Sequence, residues 1–211
     1  MAISHRSRCS NIVYWLDNKL YLNITNFCTN NCYFCIRKFK TGIAEFNLKL
    51  KEDPSSNDIK KGLQKVLDQK SWSEIVFCGF GEPTARLDVL LEIARWISRK
   101  SQLPIRVDTN GHALLLYPER DVVRELKDAG VTRVSVSLNA HNEALYNEVC
   151  QPKFANAFEK VLEFIEQARD ACLEVEVTAV AVPEVNVSEV ERVSSGLRVK
   201  FRVRPYRPCV W

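Results

Sequence analysis

Six strand-like segments alternate with helical stretches along the 211 residues, and that alternation restricts the chain to few folds. The segments are LYLNIT (20–25), EIVFCGF (74–80), PIRVDTN (104–110), RVSVSLN (133–139), VEVTAVAV (175–182) and KFRVRPY (200–206). Between them, residues 57–70, 86–100, 119–129, 154–171 and 186–195 carry apolar positions at helical spacing, as in Phe154, Phe158, Val161, Ile165 and Ala168. Parallel neighbours need a connection long enough to return over one face, so the alternation predicts right-handed crossovers and a parallel sheet. A complete eight-unit barrel takes about 250 residues. Six units therefore predict an α/β fold, an open partial (β/α)6 TIM-like barrel, with a doubly wound sheet as the structural alternative.

Composition asks for no second domain. The hydrophobic fraction is 46%, the charged fraction 27%, and no Gly/Ser-rich linker interrupts the chain, so residues 1–211 are expected to form a single domain. The start, MAISHRSRCSNIVYWLDNKL, has no apolar core of signal-peptide length, and nowhere do about 18 apolar residues run together. These features predict a cytoplasmic protein without a membrane partner. In that setting eight cysteines point to metal or redox use rather than stable disulfides. The net charge of +4 is uneven: residues 1–51 and 198–211 are rich in Lys and Arg, which suits an anionic substrate or partner, or simply a solvated face.

Cys9, Cys78, Cys150, Cys172 and Cys209 are scattered, and Cys172, in an apolar register, is expected to be buried as a small hydrophobe. Cys28, Cys32 and Cys35 instead fall together in CTNNCYFC, just after the first strand. Three thiolates at that spacing can hold an iron-sulfur cluster with one iron open, which suits catalysis better than simple electron transfer. Strand C-terminal ends are where ligands gather in either fold. The second strand ends in Gly79-Phe80-Gly81-Glu82-Pro83-Thr84, where glycines allow close backbone approach to a ligand or merely form a tight turn. The third ends in Asp108-Thr109-Asn110-Gly111-His112. On the fourth, Ser135, Ser137 and Asn139 share one face, the interior in a barrel, where polar groups need partners. His112 and His141 lie just past these ends on the same rim.

With these residues in view, Cys28-x3-Cys32-x2-Cys35, with Phe34 before the last cysteine, resembles the signature of radical S-adenosylmethionine (SAM) enzymes. Gly79-Phe80-Gly81-Glu82-Pro83 is similar to that family's glycine-glycine-glutamate segment, and Ser137 with Asn139 to its ribose-contacting fourth strand. The ends YLNITNFCTNNCYFCIRKF and FRVRPYRP further resemble the small radical SAM proteins associated with TatD-family nucleases. The resemblance implies that Cys28, Cys32 and Cys35 ligate a [4Fe-4S] cluster whose open iron chelates SAM. It implies that Phe34 lies near the adenine, and that backbone groups of Gly79, Phe80, Gly81 and Glu82 receive the methionyl amine. Ser137 and Asn139 would hold the ribose or carboxylate. An external electron donor would drive cleavage of SAM to a 5′-deoxyadenosyl radical that takes hydrogen from substrate. The fifth strand lacks the glycines of the family's adenine-contacting motif, leaving Val180 or Val182 as an apolar wall, and Phe80 replaces a common glycine, narrowing the pocket there.

Arg37, His112, His141, Arg204 and Arg207 are the expected substrate-side residues, while Cys78 would donate hydrogen or simply be core. A six-unit barrel leaves a side opening, which suggests coverage by a macromolecular substrate or by a TatD-family nuclease partner. Cys150, Cys172 and Cys209 are too widely spaced for a second cluster. Generation of a glycyl radical in a partner enzyme and modification of a nucleotide or nucleic-acid base both remain open. Two rivals stand beside the enzyme: a structural zinc site with Cys9, Cys78 or a histidine as fourth ligand, and a non-catalytic iron-sulfur module acting in electron transfer or on nucleic acid. The second draws on Arg37, Lys38 and Lys40 beside the cysteines.

Overall fold

The structure, a computed structural model, describes residues 10–206. Cys9, Arg207 and Cys209 lie outside the described residues. In chain order the elements are β1 (Val13–Leu16), β2 (Lys19–Leu22), β3 (Gly42–Ile43), β4 (Phe46–Asn47), α1 (Ser56–Val66), β5 (Glu74–Phe77), α2 (Leu87–Lys100), β6 (Ile105–Thr109), α3 (Ala113–Leu116), α4 (Val122–Asp128), β7 (Val131–Ser137), α5 (Glu143–Cys150), α6 (Ala157–Asp170), β8 (Glu174–Val180), α7 (Val187–Gly196) and β9 (Lys200–Arg204). Several helix starts carry side-chain caps, as with the Ser55/Asp58 capping box of α1 and Asn186 before α7, whereas Asn156 before α6 makes none.

The main sheet is seven-stranded, in the order β1-β2-β5-β6-β7-β8-β9. The six strands expected from sequence pair parallel and in chain order, while β1 adds antiparallel at the β2 edge. Sequential order decides between the two expected architectures. A doubly wound sheet reverses direction at a switch point, whereas unreversed right-handed crossovers lay every helix on one face. The partial barrel is the result.

Burial follows that geometry. Leu20, Leu22, Ile75, Phe77, Val107, Val134, Val136, Val177 and Ala179 form one buried core with the helices. Alternate residues of the same strands face the other way, and many of them are charged or polar. There Lys19 and Arg106 meet Glu74 at 2.5 and 3.0 Å, Arg133 and Lys200 meet Glu174 at 2.7 Å each, and Arg202 meets Glu176 at 2.7 Å. The open face of the sheet is therefore a polar groove.

Sequence pattern missed β1, whose four residues join β2 through a left-handed Asp17. The two-residue β3–β4 pair and the short helices α3 and α5 were also too brief to show a period. Cys172 corrects an expectation: it is exposed, at φ 61° in the turn after α6, while its neighbour Leu173 enters the core.

Candidate active site

Beyond β2 the chain leaves the sheet and forms the cysteine loop. Arg37 fixes its shape: Nη1 donates to the Asn26 carbonyl at 3.1 Å and Nη2 to the Asn30 carbonyl at 2.9 Å. Lys38 Nζ donates to the Asn31 carbonyl at 2.9 Å. Arg37, expected on the substrate side, is thus committed to bracing the loop. Cys28, Cys32 and Cys35 are all half-buried, and Phe34 meets Tyr33 edge to face with ring centroids 5.4 Å apart. Cys28 Sγ accepts from the Asn30 N–H at 3.4 Å and from Asn110 Nδ2 at 3.7 Å.

Burial pushes the Cys28 thiol up to about 12, and a hydrogen bond with Cys150 together with burial pushes Cys32 up as well. Such thiols ionise when a cation replaces the proton. The donor set fits a cluster. Three half-buried sulfurs lie on one loop with N–H donors aimed at one of them, the arrangement that tunes thiolates bound to iron. Among the described residues no group of three His, Cys, Asp or Glu side chains is gathered to hold a single ion.

Behind the loop runs a buried hydrogen-bonded chain. Asn110 Nδ2 donates to Thr29 Oγ1 at 2.8 Å, Thr29 Oγ1 meets His112 Nδ1 at 2.8 Å, and His112 Nε2 meets the Tyr146 hydroxyl at 2.8 Å. His112 is fully buried with both ring nitrogens engaged, so it corrects the expectation of a rim residue facing substrate: its role is to hold the loop. Burial pushes its pKa down to about 4. The unfolded chain therefore takes up this proton first as pH falls, and the folded state loses stability from about pH 6.5 down to about 4, at up to about 1.4 kcal/mol per pH unit. A His112→Gln variant is expected to unfold earlier at pH 8 but to lose this slope, as thermal melts across pH 4–8 would show. A slope unchanged by the substitution would rule the assignment out.

The turn after β5 is tied to the same loop. Glu82 N–H donates to the Phe27 carbonyl at 2.7 Å, and its buried carboxylate accepts from Thr84 Oγ1 and Thr109 Oγ1, each at 2.7 Å, and from Asn110 N–H at 2.7 Å. A Cβ on Gly79 would lie 2.0 Å from Asn23 Oδ1, and one on Gly81 2.4 Å from the Thr25 carbonyl oxygen. These glycines admit the neighbouring chain. Phe80 is a further correction: its side chain joins Tyr14, Phe46 and Leu48 in a second small core, so it fills the space under the β3–β4 pair.

At the ends of β7, β8 and β9 four expected residues meet. Arg204 Nη2 donates to Ser137 Oγ at 3.1 Å and approaches Asn139 Oδ1 at 3.5 Å, and that oxygen also accepts from the Val180 N–H at 3.1 Å. Asn139 adopts φ 60°, which turns the chain off the strand. Arg204 Nε has no hydrogen-bond partner among the described residues. His141 is half-buried just beyond Asn139, with Nδ1 likewise unpartnered among them. Lower on the open face, beside Cys78, Arg106 Nε meets Asp108 Oδ1 at 2.8 Å, and burial pushes the Asp108 carboxyl up while Arg106 and Arg204 oppose it.

Sequence reading missed Thr29, Tyr146, Cys150 and Asp108 as site residues. The one signal was Asp108-Thr109-Asn110 at a strand end. Tyr146 and Cys150 lie on α5, whose own pattern was unread.

The family model of the radical SAM superfamily matches residues 22–195. The GTP 3′,8-cyclase of Bradyrhizobium diazoefficiens is 30% identical over 176 residues, covering 81% of this chain and 46% of that protein. The GTP 3′,8-cyclase of Aliarcobacter butzleri is 28% identical over 188 residues, covering 86% and 54%. The chain thus spans about half the length of these curated relatives. Among solved structures, HydG, a maturase of the [FeFe]-hydrogenase, superimposes with a TM-score of 0.65 at 14% identity over 91% of this chain and 43% of its own. TYW1 with a lysine-pyruvate adduct bound gives 0.63 at 14% over 91% and 66%. At that identity the two structures establish shared fold alone. Carried by the family match, the chain belongs to the radical SAM superfamily, whose members are enzymes that use a [4Fe-4S] cluster and SAM.

Proposed function

We propose that this is a cytoplasmic enzyme that cleaves SAM reductively and abstracts hydrogen from a polar substrate held in the charged groove of the open sheet face. The observation that carries the reading is the cysteine loop at the end of β2, braced by Arg37 and Asn110 in a family whose members bind a cluster. Among the described residues no helix is long and apolar enough to cross a membrane. When bound, the cluster supplies the electron that splits the sulfonium of SAM into methionine and a 5′-deoxyadenosyl radical.

Within this reading the chain's own residues hold, orient and exclude water. Cys28, Cys32 and Cys35 hold the iron. Backbone groups of Gly79, Phe80, Gly81 and Glu82 would receive the methionyl amine, Phe34 and Val180 would border the adenine, and Ser137 with Asn139 would contact the ribose or carboxylate. Asn139 is already bonded to Val180 and approached by Arg204, so it acts by fixing the strand ends as well. Arg204 and His141 face substrate. A nucleotide is the favoured substrate class, because the curated relatives are GTP 3′,8-cyclases and Arg204 keeps Nε free of partners among the described residues. The likeness of the chain ends to nuclease-associated members makes a TatD-family nuclease the partner to seek.

Anaerobic reconstitution with iron and sulfide should give four irons per chain and, after reduction, 5′-deoxyadenosine from SAM. Failure to form it, with or without a nucleotide mixture, would sink the reading. Ser137→Ala is expected to weaken SAM binding about tenfold, the value of one lost hydrogen bond to a charged group, while iron content stays at four. Titration of the reconstituted variant with SAM reads both.

A further inference from the structure

Three of the four large apolar side chains exposed among the described residues belong to the cysteine loop and the turn that closes it. Phe27 is 47% exposed, Ile36 41% and Phe39 53%, while the fourth, Val203, is on β9. Phe27 directly precedes Cys28, and Ile36 directly follows Cys35. The turn folds back on the loop through the Arg37 and Lys38 bonds to the Asn26, Asn30 and Asn31 carbonyls, so these exposed side chains stand on segments tied to one another. Apolar side chains grouped in this way mark a contact site.

The rim of this surface is basic. Lys153 Nζ stands 4.5 Å over the Phe27 ring, and exposed Lys38 and Lys40 flank Phe39. Between residues 36 and 51 the positive side chains are Arg37, Lys38, Lys40, Lys49 and Lys51, against Glu45 alone. Glu184, hydrogen-bonded to the Tyr33 hydroxyl, brings one negative charge near the middle of the loop.

We propose that this patch is the docking surface for a small acidic one-electron carrier protein that reduces the cluster; the inference rests on the cluster reading above. Electron transfer weakens steeply with distance, and Phe27 and Ile36 are the covalent neighbours of two ligand sulfurs. Redox encounters use small interfaces with complementary charge and little else, which matches three apolar side chains within a lysine rim. A nucleic acid fits less well: bases bind by stacking on open aromatic faces, and Lys153 already occupies a face of Phe27.

The test uses the reconstituted holoprotein, with loss of cluster absorbance followed by anaerobic stopped flow. Flavodoxin hydroquinone serves as the acidic protein donor and dithionite as the small one. For the unaltered protein the flavodoxin rate should fall steeply with salt. Lys40→Glu/Lys153→Glu, and separately Phe39→Ser, should lower it about tenfold or more while dithionite reduction and iron content stay unchanged. A flavodoxin rate indifferent to salt and to both variants overturns the proposal. So does an equal loss with dithionite, which assigns these residues to loop integrity, or retention on RNA lost in the variants with the flavodoxin rate intact. Absence of a cluster in the unaltered protein would instead overturn the cluster reading itself, so the two failures are distinct.

Discussion

Cys28→Ala, Cys32→Ala and Cys35→Ala each leave fewer than four irons per chain and lower 5′-deoxyadenosine formation to the no-protein background, whereas Cys150→Ala keeps both. The contrast matters because Cys150 is a fully buried thiol beside Cys32, its Sγ accepting from Asn139 Nδ2 at 3.6 Å and its carbonyl from the Asn31 N–H at 3.0 Å. A fourth thiolate from Cys150 would close the cluster and leave no iron for SAM, the arrangement of an electron carrier. Three ligands with Cys150 outside the set leave one iron open, the arrangement of an enzyme. Cys150→Ala removes buried sulfur from a helix end and is expected to cost about 1–3 kcal/mol in stability. It should bind iron normally at low temperature. Iron counted per chain, with the electron-spin signal recorded before and after SAM, separates the two cases: loss of iron in Cys150→Ala as large as in Cys32→Ala would make the protein a carrier.

The parts of the fold that were legible in the sequence are those with long periods. β7 and β8, each seven residues, alternate buried and polar side chains, and α6 keeps its stripe over fourteen. The cysteine spacing was legible because it is local. What was hidden is what depends on contact between distant segments. Nothing at position 112 says that its two nitrogens will be taken by Thr29, 83 residues away, and Tyr146, 34 residues away. Arg37 reads as a free cation beside a binding loop, yet its planar fork matches two carbonyls four residues apart and is consumed by them. Phe80 shows the same gap. Its place in a glycine motif suggested a pocket wall, and only the unread β3–β4 pair supplies the core it enters.

Gly81→Ala should be the most damaging single change outside the cysteines, costing about 3 kcal/mol or more and lowering the melting midpoint by about 6–12 °C. The added Cβ would stand 2.4 Å from the Thr25 carbonyl oxygen and 2.5 Å from that of Phe27, both backbone atoms with no rotamer to yield. The Glu82 N–H bond to the same Phe27 carbonyl holds the two segments at this distance, so relief means separating the β5 turn from the cysteine loop. Since Phe27 adjoins Cys28, the strain passes directly to a ligand, and iron retention should fall with stability. Gly79→Ala is expected to be milder, because its nearest obstacle at 2.0 Å is a side-chain oxygen, that of Asn23. Asn23 would have to turn away from the Phe80 N–H and from the Leu48 and Asn11 carbonyls, a loss of three hydrogen bonds, while its Cα at 2.9 Å from the added Cβ is a looser main-chain obstacle than the two carbonyls facing Gly81. If these glycines instead served only to admit the methionyl group of SAM, both alanine variants would melt with the unaltered protein and show weaker SAM binding alone. Melts of the metal-free protein therefore separate packing of the chain against itself from packing against the cofactor, with Gly81 the position where the two accounts differ most.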